Sequence, residues 1–182
     1  TKDFSFFAPS AGFTNIHGLC LVDDKLWVGT FSKGLKIIDT RTGTVLKTYQ
    51  KNSSPRSLID NSIFAICRTA TGDIYLGTMF GLVKYNKQSD DFDRIPELNG
   101  KFVYDIKEDS GGNIWLATYA NGAYCYNVND RKWKNYVHDE KDTTSLSYNK
   151  VSSIFEDSYH RIWLTTQGGG FSIFSLTSTL TR

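Results

Sequence analysis

The 182 residues carry a formal net charge of +2, with 21 basic and 19 acidic side chains intermixed, so the one-signed footprint of a nucleic-acid binder is missing. Hydrophobic residues make up 40% and aromatic residues 14% of the chain, enough for one domain with a sizeable core. No apolar run approaches the ~20 residues of a membrane span. Cys20, Cys67 and Cys125 cannot all pair within the chain. Their neighbours are apolar and strand-like, which suits core thiols better than a disulfide between Cys20 and Cys67, and leaves the compartment open.

Taken in chain order, TKDFSFFAPS lacks the charged-then-apolar plan of a signal peptide. Its residues 3–7, DFSFF, read as a lone aromatic strand. From Leu26 a pattern begins that returns three times: LWVGT at 26, IYLGT at 74, IWLAT at 114 and IWLTT at 162. Its second residue is aromatic (Trp27, Tyr75, Trp115, Trp163) and its fourth is small (Gly29, Gly77, Ala117, Thr165). Its fifth is always threonine, and a glycine follows at Gly34, Gly81, Gly122 and Gly170. The starts are 48, 40 and 48 residues apart, a period that marks repeats built of one supersecondary unit each. Upstream, Ile16, Ile63, Val103 and Val151 head a further strand, with Leu19, Ile66, Ile106 and Ile154 three positions on. Downstream lie VLKTYQ, DFDRI and KWKNYV.

Each repeat thus reads as four short strands, A to D, joined by polar turns such as TATGD, EDSGGN and EDSYHR. No segment keeps helical periodicity. The repeats span approximately 15–60, 61–100, 101–148 and 149–182. Length varies between strands D and A, in inserts expected to leave the strand core untouched. Strand B is apolar on both faces, so its sheet needs a neighbour on each side. The expected fold is all-β: a β-propeller of about four four-stranded antiparallel blades, a fragment of a larger propeller. Strand A, with small residues at Gly18 and Ala65, is expected innermost, and the small residue of strand B is expected to make room for the aromatic ring beside it. The last repeat lacks a convincing strand D. DFSFF is expected to supply one, either to that repeat or to a preceding blade.

The stretches VYDIKEDSGGNIWLATYANGAYCYN and VSSIFEDSYHRIWLTTQGGGFSIF, with the lead-ins SLIDN and SLSYN, resemble two-component regulator propeller repeats. The resemblance covers nearly the whole chain, and repeat one departs most, with DDK in place of the acidic turn. It implies the periplasmic sensor region of a bacterial hybrid two-component protein, one concerned with glycan breakdown products. Kinase, receiver and DNA-binding parts would lie elsewhere in such a protein, and any contact with the membrane would be made through those absent parts.

Chemistry-bearing residues are sparse. His17, His138 and His160 have no ligand spacing, so no metal is expected, and no cofactor motif is present; GGG at 168–170 lacks the lysine and helix of a phosphate loop. The pairs Glu108–Asp109 and Glu156–Asp157 occupy equivalent A–B turns, where Asp caps a hairpin. The binding candidates lie on the B–C turns, which share one rim: Phe31, Lys33, Met79, Phe80, Tyr119, Asn121 and Gln167. Aromatic faces beside amides suit a sugar. Tyr104 and Asp105, on an inner strand, form a second set facing the axis. The expected function is a non-catalytic sensor binding an oligosaccharide, with self-association of the chain. The competing readings are a protein-interaction scaffold and a polysaccharide lyase or glycosidase.

Overall fold

The computed structural model describes residues 15–175. DFSFF, and whatever follows the third strand of the last repeat, lie outside them. The described residues form four antiparallel sheets in sequence order. The first contains β1 (Ile16–Val22), β2 (Lys25–Thr30), β3 (Leu35–Asp39) and β4 (Val45–Tyr49). The second contains β5 (Ile63–Arg68), β6 (Ile74–Thr78), β7 (Gly81–Asn86) and β8 (Asp91–Arg94). The third contains β9 (Val103–Glu108), β10 (Ile114–Thr118), β11 (Ala123–Asn127) and β12 (Lys132–Tyr136). The fourth has three described strands, β13 (Val151–Glu156), β14 (Arg161–Thr166) and β15 (Gly170–Ser175). The first strands β1, β5, β9 and β13 neighbour one another in succession, so strand A is innermost and the sheets radiate as propeller blades.

Packing is directional. Trp27, Leu35 and Ile37 of the first blade meet Ile74, Leu76 and Val83 of the second. Tyr75 and Leu82 of the second meet Ile106, Ile114 and Leu116 of the third, and Trp115 and Cys125 meet Ile154, Ile162 and Leu164 of the fourth. In the first three blades the aromatic residue of strand B therefore faces the following blade, where its burial is worth roughly 2–3 kcal/mol. This explains why strand B needs apolar groups on both faces. It also leaves outward surfaces at the two ends: Leu19 and Leu21 of the first blade are 58% and 59% exposed, and Phe155 and Phe171 of the fourth are 63% and 60% exposed.

Two sequence expectations need correcting. The small fourth residue of strand B does not make room for its own ring. A Cβ on Gly29 would lie 2.7 Å from Ile63 Cγ2, and one on Gly77 2.7 Å from Val103 Cγ1. The space is taken by the β-branched residue that heads the next blade's inner strand, while the ring beside it reaches outward: Trp27 lies 5.0 Å from Tyr85, and Trp115 5.1 Å from Phe174. Nor do the D–A inserts leave the core untouched. Leu58 of SLIDN and Leu146 of SLSYN are buried within the inter-blade clusters, and Leu98, on a short 3-10 turn (Pro96–Leu98), is fully buried in the shortest connection. Each connection thus contributes one leucine. Asn61 and Asn149 pin the longer two, their Oδ1 atoms accepting the N–H of Lys51 and His138 at 2.7 Å each.

The A–B turns show why Glu-Asp precedes the tryptophan strand. Asp109 turns inward: Oδ1 accepts the N–H groups of Gly111 and Asn113, and Oδ2 accepts Trp115 Nε1–H at 2.8 Å. Asp157 repeats this with Tyr159, Arg161 and Trp163 Nε1–H. Desolvation pushes the Asp157 carboxyl up, but these donors outweigh it and hold it well below the usual carboxylate range. In the second blade Tyr75 has no indole to satisfy, and Thr69 takes the place of aspartate, accepting Asp73 N–H. The glutamates reach back one blade: Glu108 accepts Ala70 N–H at 2.7 Å, and Glu156 accepts Ser110 N–H at 2.8 Å. At the same place between the first two blades, Arg68 pairs with Asp23. Ser110, Glu156 and His160 also meet, but hydroxyl and carboxylate both contact the same ring nitrogen, Nδ1. That geometry clasps two turns together and does not set a base between a nucleophile and its orienting acid.

Cys20 and Cys67 are free thiols. Burial raises both, opposed in each case by a backbone N–H of the following blade, at Arg68 and Glu108 respectively.

Candidate functional site

The rim opposite those turns carries the candidate site. In all four blades the A–B ladder breaks at one place. Ile16 pairs Thr30 but Gly18 pairs Gly29; Ile63 pairs Thr78 but Ala65 pairs Gly77. Val103 and Asp105 pair Thr118 and Ala117, and Val151 and Ser153 pair Thr166 and Thr165. The extra residue of each bulge is His17, Phe64, Tyr104 or Ser152. A bulge removes a residue from the ladder and re-aims its side chain, and such features concentrate beside functional sites.

The threonine that ends strand B holds this rim in place. Its hydroxyl donates to the carbonyl of the turn glycine: Thr30 to Gly34 at 2.8 Å, Thr78 to Gly81 at 2.9 Å, Thr118 to Gly122 at 2.6 Å and Thr166 to Gly170 at 3.1 Å. Gly34 and Gly122 have φ of 77° and 74°, and a Cβ there would fall 2.1 Å from Tyr49 O and 2.0 Å from Tyr136 O. The residue after each threonine then donates its N–H to the residue before strand A: Phe31 to Asn15, Met79 to Ser62, Tyr119 to Phe102 and Gln167 to Lys150. Three positions per blade are thereby brought together on one rim: the residue before strand A, the bulge residue and the first residue of the B–C turn.

In the first three blades these positions are rich in rings, and the rings touch. His17 lies 4.5 Å from Phe64, and Phe31 lies 6.2 Å from Phe64. Phe64 meets Phe102 edge-on at 4.5 Å. Phe102 stacks on Tyr104 at 4.5 Å with planes 17° apart, and on Tyr119 at 5.6 Å with planes 22° apart. Lys150, from the fourth blade, sets its ammonium 4.2 Å above the Tyr119 ring. The result is an aromatic strip running from first blade to fourth, partly exposed and organised by its own ring contacts.

Of the residues singled out in sequence, Phe31, Tyr104 and Tyr119 come together in this strip. Phe80 is 53% exposed and, among the described residues, makes no ring contact. Lys33 and Gln167 are exposed on the first and fourth B–C turns, and Asn121 is tied into its turn through an N–H bond to Thr118 Oγ1. Asp105 is engaged in holding blades together: Oδ2 accepts Ile154 N–H at 2.9 Å and the Ser153 hydroxyl at 3.3 Å, and Oδ1 accepts Ile106 N–H. Sequence reasoning did not select Phe64, Phe102, Lys150 or His17 for binding. The available signal was their equivalence by repeat position to Tyr104 and to one another. Among the described residues, no cluster of His, Cys, Asp and Glu comes together that could hold a metal, and no helix is long and apolar enough to cross a membrane.

Fold and repeats together define a β-propeller segment, and comparison places it among known proteins. Residues 57–80, 97–120 and 145–168 match the model of the two component regulator propeller family. It is 32% identical over 155 residues to histidine kinase P4 of Formosa agariphila, a match that covers 85% of this chain and 8% of that protein. The extracellular domain of a protein assigned as a hybrid two component system in B. thetaiotaomicron superposes with a TM-score of 0.66 at 26% identity, over 84% of this chain and 19% of that one. Virginiamycin B lyase from Staphylococcus aureus shares the fold alone, with a TM-score of 0.63 at 17% identity over 93% of this chain and 58% of that one. The chain therefore spans a small part of the first two relatives.

Proposed function

We propose that the chain is part of the extracytoplasmic sensor region of a two-component regulator, in which the aromatic rim binds glycan-derived oligosaccharides. The observation that carries this reading is the strip itself. One bulge, repeated in every blade, aims a ring onto a single rim in each of the first three, and pyranose C–H faces stack on such rings while their hydroxyls take neighbouring polar groups. The likeness to histidine kinase P4 and to the extracellular domain of the hybrid system supports the sensor setting. The role is recognition without catalysis: the carboxylate on the inner strand, Asp105, is held by backbone and hydroxyl donors of its own and the next blade. Because the strip crosses from blade to blade, a ligand that favours one inter-blade arrangement over another would shift their populations, and that shift would be the signal.

Calorimetric titration with a panel of oligosaccharides tests the reading. At least one is expected to bind, with Tyr119→Ala and Phe102→Ala each weakening it by about two- to tenfold, on the scale of ~0.5–1.5 kcal/mol for a lost stacking contact. Binding unaffected by both substitutions would place the site elsewhere. The chain is also read as self-associating through the exposed outer face of the fourth blade. Light scattering that shows a strict monomer at all concentrations would count against this.

A further inference from the structure

The rim is not uniform in charge, and we propose that it selects an acidic oligosaccharide, one bearing a carboxylate or sulfate, whose anionic group is met by Lys150. This rests on the sugar-binding reading above and adds the ligand's chemical class. Reading the three rim positions across the blades gives Asn15, His17 and Phe31, then Ser62, Phe64 and Met79. Phe102, Tyr104 and Tyr119 follow, and last come Lys150, Ser152 and Gln167. The strip is therefore aromatic through the third blade and turns cationic and polar at the fourth.

None of these positions carries a carboxylate. The nearest along the chain are Asp60 and Asp105, and both are committed to backbone donors: Asp60 Oδ1 accepts Ser62 N–H at 2.8 Å, and Asp105 accepts Ile106 and Ile154 N–H. Lys150 has no carboxylate partner among the described residues; its ammonium lies 4.2 Å from the Tyr119 ring centroid, with Tyr119 42% exposed. The ammonium covers one face of Tyr119, so a sugar ring seated along the strip beside it brings a substituent at its edge to Lys150. Gln167, whose N–H donates to the Lys150 carbonyl, offers an exposed amide beside it, while the Ser152 hydroxyl is engaged with Thr165. A compact ammonium held by an aromatic face, with no competing anion, recognises an anion as a point charge, so both carboxylate and sulfate fit.

The test is titration of the chain with tetragalacturonate, with its carboxyl-reduced neutral tetrasaccharide, and with a sulfated form of that neutral tetrasaccharide, against the unaltered protein, Lys150→Ala, Lys150→Arg and Tyr119→Ala. One or both anionic probes are expected to bind about ten- to a hundredfold more tightly than the neutral one. That preference should weaken with salt, disappear in Lys150→Ala and largely return in Lys150→Arg. Tyr119→Ala should weaken all three probes. Preference for one anionic arm over the other identifies the source of the charge. Equal binding of neutral and anionic probes, or an anionic preference unchanged in Lys150→Ala, overturns the acidic assignment while leaving the sugar site intact, provided Tyr119→Ala still weakens binding. Absence of binding by every probe overturns both.

Discussion

Replacing Asp109 and Asp157 by alanine compares one motif in two degrees of burial. Asp109 and Asp157 occupy the same turn position and each accepts an indole N–H at 2.8 Å. Trp115 is 1% exposed, however, whereas Trp163 lies on the open face of the fourth blade and is only partly buried. In Asp109→Ala the indole N–H of Trp115 is left in the core without an acceptor, a penalty of ~1–3 kcal/mol. The N–H of Asn113, itself 7% exposed, loses its acceptor too, and bonds to a carboxylate are worth ~1.5–3 kcal/mol each. Allowing for water at the exposed turn tip, the total comes to about 3–5 kcal/mol. In Asp157→Ala water reaches the freed groups, and the expected cost is several times smaller. In urea, with a slope of roughly 2 kcal/mol per molar, the midpoint should fall by about 1.5–2.5 M for Asp109→Ala and by correspondingly less for Asp157→Ala. Adding Trp115→Phe to Asp109→Ala removes the orphaned donor, so the two substitutions should cost less together than their sum. Equal midpoint shifts for the two aspartates, or strict additivity in the double variant, would refute the assignment of the energy to the buried indole bond.

Other expectations follow from the same contacts. Gly77→Val forces methyl groups into the position of Val103 and its carbonyl, and should lower stability by at least ~1–3 kcal/mol, with Gly77→Ala costing less; a neutral valine variant in thermal melts would contradict the packing. Leu146→Ala should cost ~2–5 kcal/mol although it lies in a connecting loop, whereas Thr143→Ala in the same loop should stay within ~0.5 kcal/mol; similar melting temperatures would show that the loop leucine is not core. The Lys47 ammonium, with hydroxyl donors from Tyr49 and Tyr85, lowers the Asp90 carboxyl to about 2. Because the unfolded value is ~3.9, this group contributes stability above about pH 4 that is lost as pH falls toward 2, and Asp90→Asn should flatten the acid limb of the stability curve over that window. Burial pushes the Cys125 thiol up to about 12, so labelling of the native chain at pH 8 should be slowed roughly a thousandfold relative to an ordinary thiol at 9.0, and restored by denaturant; fast native labelling would refute the burial.

The repeats, the strand boundaries to within a residue or two, the turns and the propeller architecture were all legible in the chain, because each is written in local spacing. Alternation marks a strand, Gly and Asp mark a turn, and a pattern that returns every 40 or 48 residues marks a stack of like units. The aromatic B–C turn residues were legible for the same reason. Four other features belong to relations between segments. Gly29 reads as small, but only the neighbour shows that Ile63 of the next blade demands it. Leu58 and Leu146 read as loop residues until the groove they fill is in view. Asp105 reads as a free axial carboxylate until the next blade's Ile154 N–H meets it. The bulge that aims His17, Phe64 and Tyr104 at the rim is a mismatch of two residues against one, and exists only in the pairing of two strands. The sequence by itself determined what each repeat is. The tertiary structure decided what each repeat does for the next, since burial and hydrogen-bond partners are set by the neighbour across the gap and not by the residue's own period.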